Sequence, residues 1–417
     1  RAQLHARRAA HALSLGRPDE ALEAATRGLT LLQESPSRTV EAELRRELLL
    51  AQALLGRHEE VERTLLDFAR HDTTDDTQRA LDDTAIGGAY LRLERFEQAV
   101  TPLRRAVTTF DRQGDTYRAA WAMHGLAHAL DYSRQDLAAA LTLRQDLHAR
   151  LERAFAPTLH RANLTELGFT CMRLRRYDDA HDWLTRAEAY ETHSGETATS
   201  THRLLAELYW TLGAYDACEH AARRALAHPD PRDRGAFFPL LQLGRLHARR
   251  GQPDLARSAY ARLTDELDAF DVPYVRGQLL LALSDVSASD EAESLASRAL
   301  NVARDTGEAE LETAALATLA HALLKLGRPH EALQSSTRAA ERLDRHAPFD
   351  DPERPSLVHH DVLLALGEPG SPDVLRDATR RLDALATRVP LAYREAFLTR
   401  HHTNGELRRR ALAARIL

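Results

Sequence analysis

A short turn motif returns along this 417-residue chain about every 36 to 40 residues, and it constrains the fold more than any other feature. Its clearest copies occupy residues 15–21, 55–61, 93–99 and 326–332, the first reading Leu-Gly-Arg-Pro-Asp-Glu-Ala. Glycine ends one helix, and the acidic residue begins the next, where the helix dipole favours negative charge. Weaker copies begin at Leu174, Leu212, Arg250, Val286 and Leu366, with a blurred one near Ser133. A motif at this period indicates an array of helix pairs.

Tiny and bulky residues alternate around each turn. Residues 86–90 read Ile-Gly-Gly-Ala-Tyr and residues 243–247 read Leu-Gly-Arg-Leu-His, while alanines at helical spacing follow the turns. Small residues let two helices approach closely, and large ones fill the next layer. The pattern resembles the tetratricopeptide repeat family, whose units read Trp-x2-Leu-Gly-x2-Tyr, then Ala-x3-Phe, then Pro. Pro229 and Pro231 stand close to the place of the family's last proline.

The resemblance covers nearly the whole chain and implies an all-α, right-handed superhelical solenoid of about ten antiparallel helix pairs. Two departures mark it as a divergent, long-period form of the kind found in bacterial regulatory proteins. The first tryptophan of the family pattern is replaced at Leu164, His202 and Leu240. The period also exceeds the family's usual length of about 34 residues.

Two regions are expected along the chain. Residues 1–347 form the tandem helical hairpins, and residues 356–417 form a degenerate last repeat with capping helices, because residues 348–355 are rich in proline and aspartate. Residues 393–398 and 407–409 also resemble the closing segments of arrays in large bacterial signalling ATPases and transcriptional activators. Since the sequence begins at Arg1 without methionine, a longer protein with a DNA-binding or ATPase domain upstream is expected.

Composition narrows the classes of partner. The formal net charge of −6 argues against nucleic acid as the main ligand, and no apolar stretch is long enough to span a membrane. Cys171 and Cys218 are expected in the helical core, which favours a reducing, cytoplasmic location. Lys325 is the only lysine and lies within a helix, so the chain has no Walker nucleotide site. No cofactor is expected.

Candidate catalytic groups are weak. His124, His128 and Asp131 share one helical face and could be part of a zinc site, but further ligands are missing. The pairs His359-His360 and His401-His402 are interpreted as helical neighbours that point in different directions into solvent. The carboxylates of Asp72, Asp75 and Asp76, and those of Asp82 and Asp83, are interpreted as charges at a helix start after Thr73 and Thr74. The chain is therefore predicted not to be an enzyme.

The remaining candidate is the concave groove that the family resemblance implies, lined by the first helix of each pair. Arginine suits carboxylates, and aromatic rings supply rigid anchors, so a protein or acidic peptide is the expected ligand. The upstream part of the same protein is a further candidate partner. The predicted groove residues are Arg92, His124, His128, Tyr132, Arg173, Arg203, Glu207, Trp210, Arg245, Arg249, His321 and Lys325.

Three functions stay open at this point. The leading one is a non-enzymatic interaction module, the sensor or scaffold region of a bacterial cytoplasmic regulator. The second is a helical-repeat protein that binds nucleic acid along an arginine-lined groove. The third is a metal-dependent enzyme centred on His124, His128 and Asp131.

Overall fold

The computed structural model describes residues 1–70, 75–133, 136–153, 156–194, 199–227, 236–269 and 272–416, and within these ranges it contains helices and no strand. The fold is all-α, as predicted. It divides into two compact units, unit 1 from Arg1 to Thr170 and unit 2 from Cys171 to Leu417. This division falls inside the regular array, where the turn motif gives no sign of it. Pro229 and Pro231, like residues 72–74, lie outside the described residues.

Unit 1 consists of consecutive helix pairs, with the last helix crossing its boundary. The helices are α1 (Ala2–Ser14), α2 (Pro18–Leu32), α3 (Arg38–Leu54), α4 (His58–Arg70), α5 (Asp76–Arg92), α6 (Phe96–Gln113), α7 (Thr116–Ser133), α8 (Leu137–Leu151) and α9 (Pro157–Arg173).

Unit 2 continues the same alternation and ends with two helices beyond the last pair. The helices are α10 (Tyr177–Ser194), α11 (Thr199–Thr211), α12 (Tyr215–Ala227), α13 (Phe237–Arg249), α14 (Pro253–Ala269), α15 (Pro273–Val286), α16 (Ser289–Thr306), α17 (Ala309–Lys325), α18 (Pro329–Glu341), α19 (Leu343–His346), α20 (Arg354–Leu366), α21 (Ser371–Ala386), α22 (Leu391–Thr399) and α23 (His402–Ala413).

The turn motif has the predicted structure at most of its copies. In six copies the second residue of the motif is a glycine with a positive φ between 65° and 71°. These glycines are Gly16, Gly56, Gly213, Gly251, Gly327 and Gly367. Two copies without glycine use the same left-handed conformation, Glu94 at φ 58° and Arg175 at φ 55°. Val286 is followed instead by Ser287 in an extended conformation, so that copy ends its helix differently.

Small residues allow the helices of a pair to approach closely, as the sequence indicated. A Cβ atom on Gly87 would overlap the side chain of Leu103, and one on Gly244 would overlap the ring of Tyr260. Each glycine therefore accommodates a large side chain of the next helix. Cys171 and Cys218 are fully buried, in agreement with their predicted core positions. None of the helices in the described ranges is both long and apolar enough to cross a membrane.

Candidate functional site

A cavity of about 420 Å³ lies within unit 2, a size typical of sites for small ligands. Most of its lining comes from α11, α13, α15, α17 and α20, which are the first helices of successive pairs. The segment before α20 and the start of α23 complete the wall. Five predicted groove residues line this cavity: Trp210, Arg245, Arg249, His321 and Lys325.

The charges that line the cavity balance. Its described lining holds four basic side chains, Arg245, Arg249, Lys325 and Arg354, and four carboxylates, Asp285, Asp350, Asp351 and Asp361. Arg354 Nη1 donates to Asp285 Oδ2 at 2.7 Å, and Arg245 is paired with Asp350. Two of the four arginine and lysine groups are thus neutralised by neighbouring aspartates. The wall of the cavity therefore carries fixed ion pairs and does not form a basic groove.

Arg249 and Lys325 differ from the paired arginines. Both are exposed, and no ion pair to either is found in the described part of the chain. Arg249 donates to the backbone oxygen of Arg400 at 3.1 Å and lies over the ring of Tyr215, 4.9 Å from its centroid. Among the arginine and lysine side chains that line the cavity, these two have no carboxylate partner within the described residues.

Aromatic and apolar groups form the rest of the wall. Trp210 is 6% exposed, and its ring lies 6.0 Å from the His402 ring and 5.8 Å below the guanidinium of Arg245. Tyr260 and Val358 are other buried members of the lining. Such a mixture of apolar surface with a few fixed polar groups is common in ligand sites.

Burial changes the protonation behaviour of two cavity residues. Desolvation, followed by the charge of Arg354, lowers the pKa of His321 to about 4, so its imidazole is neutral at neutral pH. Burial alone would raise the pKa of Asp285, but its ion pair with Arg354 outweighs that effect and the pKa is lowered. Asp285 is therefore a carboxylate, and its pair with Arg354 is a fixed feature of the wall.

Near its carboxyl end, the chain folds back onto the first helices of unit 2. We call residues 388–403 the return segment. The backbone oxygen of Arg388 accepts from the Asp178 amide at 2.9 Å, and the ring of Tyr393 lies 5.4 Å from that of Tyr209. Phe397 contacts Tyr177, with ring centroids 6.3 Å apart. The return segment therefore carries His402 and Thr403 to the cavity.

Three predicted residues of unit 2 lie outside the cavity lining. Glu207 is buried and accepts from Arg203 Nη1 at 2.7 Å; burial raises the pKa of Glu207, while Arg203 opposes this rise. The Arg203 guanidinium also lies 5.4 Å from the ring centroid of Phe238. Arg173 is half-buried at the end of α9. The ion pair of Arg203 and Glu207 thus lies within α11, and Arg203 also contacts α13 through Phe238.

The four predicted residues of unit 1 are separate from this cavity's lining. Tyr132 stacks between His128, at 4.4 Å between ring centroids, and Phe169, at 5.4 Å. Burial lowers the pKa of His128 to about 4 and that of His124 to about 3, with Arg144 the next cause in both. Arg92 is exposed at the end of α5. Unit 1 thus brings His128 and Tyr132 together as an aromatic stack.

The proposed metal face of His124, His128 and Asp131 does not have the expected geometry. Asp131 is fully buried and accepts from Arg144 at 2.5 and 2.8 Å and from Thr170 at 2.9 Å. A metal ion at this carboxylate would compete with the guanidinium that already neutralises it. Asp131 is therefore part of a buried ion pair, a role that the sequence did not indicate.

The expectation for His401-His402 was wrong, whereas that for the directions of His359 and His360 was correct. His359 bonds to Ser336 of α18 and His360 to Ser371 of α21, so the two side chains point in different directions. His401 is the N-cap residue of α23, with an extended ψ of 128°, so its ring lies only 4.7 Å from that of His402. His401 is also 1% exposed and His360 is buried, so neither is a solvated surface group.

The predicted carboxylate clusters have mixed roles. Asp75 is the N-cap of α5 and accepts from the Thr77 amide at 2.8 Å, which confirms helix capping there. Asp82 and Asp83 lie within α5 instead of at its start, and they pair with Arg46 and Arg105. Asp72, Thr73 and Thr74 lie outside the described residues.

Several cavity residues were missed as a group because they come from the segment that leads into α20, from the first residue of α20 and from the return segment. They are Asp350, Asp351, Arg354, His402 and Thr403. The proline- and aspartate-rich break at 348–355 and the His401-His402 pair are visible in the sequence. Their meeting depends on contacts between positions about fifty residues apart, which a repeat period does not encode.

Solved structures with helical-repeat folds resemble this chain. The apo form of RapI is 11% identical, with a TM-score of 0.59 over 82% of this chain and 98% of that one. The apo form of the quorum sensor NprR from B. thuringiensis is 11% identical, with a TM-score of 0.60 over 81% and 97%. NprR in complex with its cognate peptide NprX is 15% identical, with a TM-score of 0.54 over 78% and 98%.

At these identities the likeness concerns the fold. No protein-family model matches the chain, and no curated protein matches it significantly. The architecture is that of a divergent tetratricopeptide-repeat-like array.

Proposed function

We propose that this repeat array is a non-enzymatic peptide-binding module, the sensor or scaffold region of a bacterial cytoplasmic regulator such as a transcriptional activator or a signalling ATPase. The observation that carries the proposal is the cavity of unit 2, with five predicted groove residues in its wall. The fold-level likeness to NprR, whose solved complex holds the peptide NprX, supports it.

The cavity favours a particular kind of peptide. Because Arg245 and Arg354 already have aspartate partners, a peptide carboxylate would bind at Arg249 and Lys325. Trp210 and the neighbouring apolar wall would receive an apolar side chain. The expected ligand is therefore a short peptide that combines one acidic group with an apolar anchor, and not a polyanion.

Selection from a library of random short peptides tests this proposal. We expect the selected peptide to bind the Lys325→Glu variant at least about tenfold more weakly than the unaltered chain, since a like charge replaces the attractive one. Arg257→Gln is the matched control, because Arg257 is an exposed arginine paired with Asp254 outside the cavity lining. Failure to enrich any peptide, or equal affinity in Lys325→Glu, would contradict the proposal.

Nucleic-acid binding is the second candidate, and the balanced charges of the cavity favour it less. A groove for a phosphate backbone needs unpaired cations, and it gives an affinity that falls steeply with salt. We expect a single-stranded oligonucleotide to show no saturable binding at physiological salt. A steep salt dependence with saturation would reverse the ranking of the two candidates.

A further inference from the structure

One cluster of potential metal ligands lies beside the cavity and has no part in the proposed peptide binding. Asp351, His401 and His402 each offer one ligand atom, and these atoms lie within 4.8 Å of one another. Asp351 precedes α20, whereas His401 and His402 begin α23. The contacts of α23 with α20 and α21 bring the three residues together from positions fifty residues apart in the sequence.

Each of the three side chains carries a buried polar atom that lacks a hydrogen-bond partner in the described part of the chain. These atoms are Asp351 Oδ1, His401 Nε2 and His402 Nδ1. Asp351 is 7% exposed and His401 is 1% exposed. Buried polar atoms are nearly always paired, so three orphaned atoms in one cluster need an explanation. A cation bound among these side chains would give a partner to atoms such as Asp351 Oδ1 and His401 Nε2.

The other atoms of the cluster hold it in place. Thr403 Oγ1 donates to Asp351 Oδ2 at 2.7 Å, and His402 Nε2 lies 2.8 Å from the same oxygen. The backbone amide of Asn404 approaches His401 Nδ1 at 3.5 Å, which is a long contact. The carboxylate is therefore held by both Thr403 and His402, whereas the hydrogen bond to the His401 ring is long.

We propose that Asp351, His401 and His402 form a binding site for a divalent transition-metal ion such as Zn²⁺. Two imidazoles and one carboxylate are a donor set that such ions prefer, and three protein ligands leave a coordination position open. Asp351 and His402 line the cavity, so this position is accessible to a water molecule or a ligand there. The inference does not depend on peptide binding, and either can fail alone.

Metal binding requires a small rearrangement. Ligand atoms around a tetrahedral ion with bonds of about 2.0 to 2.1 Å are separated by about 3.3 Å, so His402 Nε2 and Asp351 Oδ2 must move apart slightly if both bind. Each coordinating imidazole nitrogen must also be free of its proton. If His401 binds through Nε2, the proton moves to Nδ1 and the long contact with Asn404 is lost. Uptake of the ion then releases protons to the buffer wherever a ligand was protonated.

Calorimetric titration of the chelator-treated full chain with Zn²⁺ tests the site. We expect one ion per chain, and a d–d absorption spectrum of a four- or five-coordinate ion when Co²⁺ replaces Zn²⁺. The variants Asp351→Asn and His401→Asn should each bind Zn²⁺ at least about tenfold more weakly. Asparagine is a good N-cap residue, so His401→Asn keeps the start of α23.

His359→Asn is the matched control, because His359 belongs to the other His-His pair and bonds to Ser336 away from the cluster. It should bind Zn²⁺ like the unaltered chain. Absence of saturable Zn²⁺ binding by the unaltered chain would overturn the proposal without recourse to any variant. Equal affinity in Asp351→Asn, His401→Asn and the unaltered chain would overturn it as well, since the ion would then be bound elsewhere.

Discussion

Arg144 is the largest fully buried side chain among the described residues, and it depends on Asp131 for its charge balance. Replacing Asp131 with alanine leaves this guanidinium buried, with Glu166 as its remaining carboxylate, 3.2 Å away. We expect Asp131→Ala to reduce the free energy of unfolding of unit 1 by about 3 kcal/mol, because the buried guanidinium loses the carboxylate that accepts two of its hydrogen bonds. Denaturant unfolding measures this loss, and hydrogen exchange in α7 and α8 shows that it falls in unit 1.

An exposed ion pair in the same unit provides the comparison. Asp111 pairs with Arg150 at 2.6 Å, and both side chains are about one-third exposed. Asp111→Ala should cost less than about 1 kcal/mol, since solvent screens such pairs. If the two variants lose equal stability, the burial of Arg144 is not the source of the effect.

Glu47 makes the stability of unit 1 depend on pH. Burial raises its pKa to about 7, against the lowering effect of Arg46. The folded state therefore retains this proton at pH values where the unfolded state, with a pKa of 4.5, has lost it. The stabilisation that the folded state gains by keeping Glu47 protonated is complete below pH 4.5 and is lost as the pH rises to about 7.

Glutamine at position 47 remains neutral at every pH, so Glu47→Gln should gain stability relative to the unaltered chain as the pH rises through this window. The expected gain at pH 8 is on the order of 2 kcal/mol. Glu23→Gln is the control at an exposed position paired with Arg27, and it should change the free energy of unfolding by less than about 1 kcal/mol over the same range. Unfolding curves between pH 4 and pH 8 distinguish the two variants. If the stability difference between Glu47→Gln and the unaltered chain stays constant over this range, the raised pKa of Glu47 is contradicted.

At the scale of elements, the turn before α12 has a second task, because its glycine packs directly against the return segment. A Cβ atom on Gly213 would lie 2.7 Å from the His401 amide nitrogen and 2.8 Å from the Ala396 oxygen, whereas one on Gly251 would meet nothing within 4 Å. Both glycines have φ near +67°. Gly251→Ala should therefore cost about 1 kcal/mol, from backbone strain alone.

Gly213→Ala should cost clearly more than Gly251→Ala, because the added methyl group also displaces the return segment. Thermal unfolding compares the two losses, and hydrogen exchange of residues 388–403 locates the difference. Exchange in the return segment should accelerate in Gly213→Ala and stay unchanged in Gly251→Ala. Equal behaviour would mean that the return segment is not held at this turn.

The helix pairs could be predicted from sequence because each turn is a local signal. Even the copies at Glu94 and Arg175, which lack glycine, were identified from the period, and they use the same left-handed conformation. The candidate site was harder to predict from the sequence. Trp210 and Lys325 follow from the position of the first helices, but Asp351 and His402 reach the cavity through contacts that carry no periodic pattern. His401 was misjudged because a helical spacing was assumed at a residue that caps the helix.

At the scale of the whole molecule, the return segment makes unit 2 differ from a simple linear array. In an array that is coupled only between neighbours, a change near one end does not affect repeats far away. Here Tyr393 and Phe397 contact Tyr209 and Tyr177, about 180 to 220 residues earlier in the chain. The first helices of unit 2 should therefore depend on its last ones.

Phe397→Ala tests this coupling, because Phe397 is 2% exposed and its loss leaves a cavity against Tyr177. We expect a loss of about 3 kcal/mol or more, with faster hydrogen exchange in α10 as well as in α22. Exchange in α1 and α2 of unit 1 should not change. Leu391→Ala, at a position 81% exposed, should alter neither region. If exchange accelerates in α22 alone, the early helices are stable without the return segment, and unit 2 behaves as a linear array.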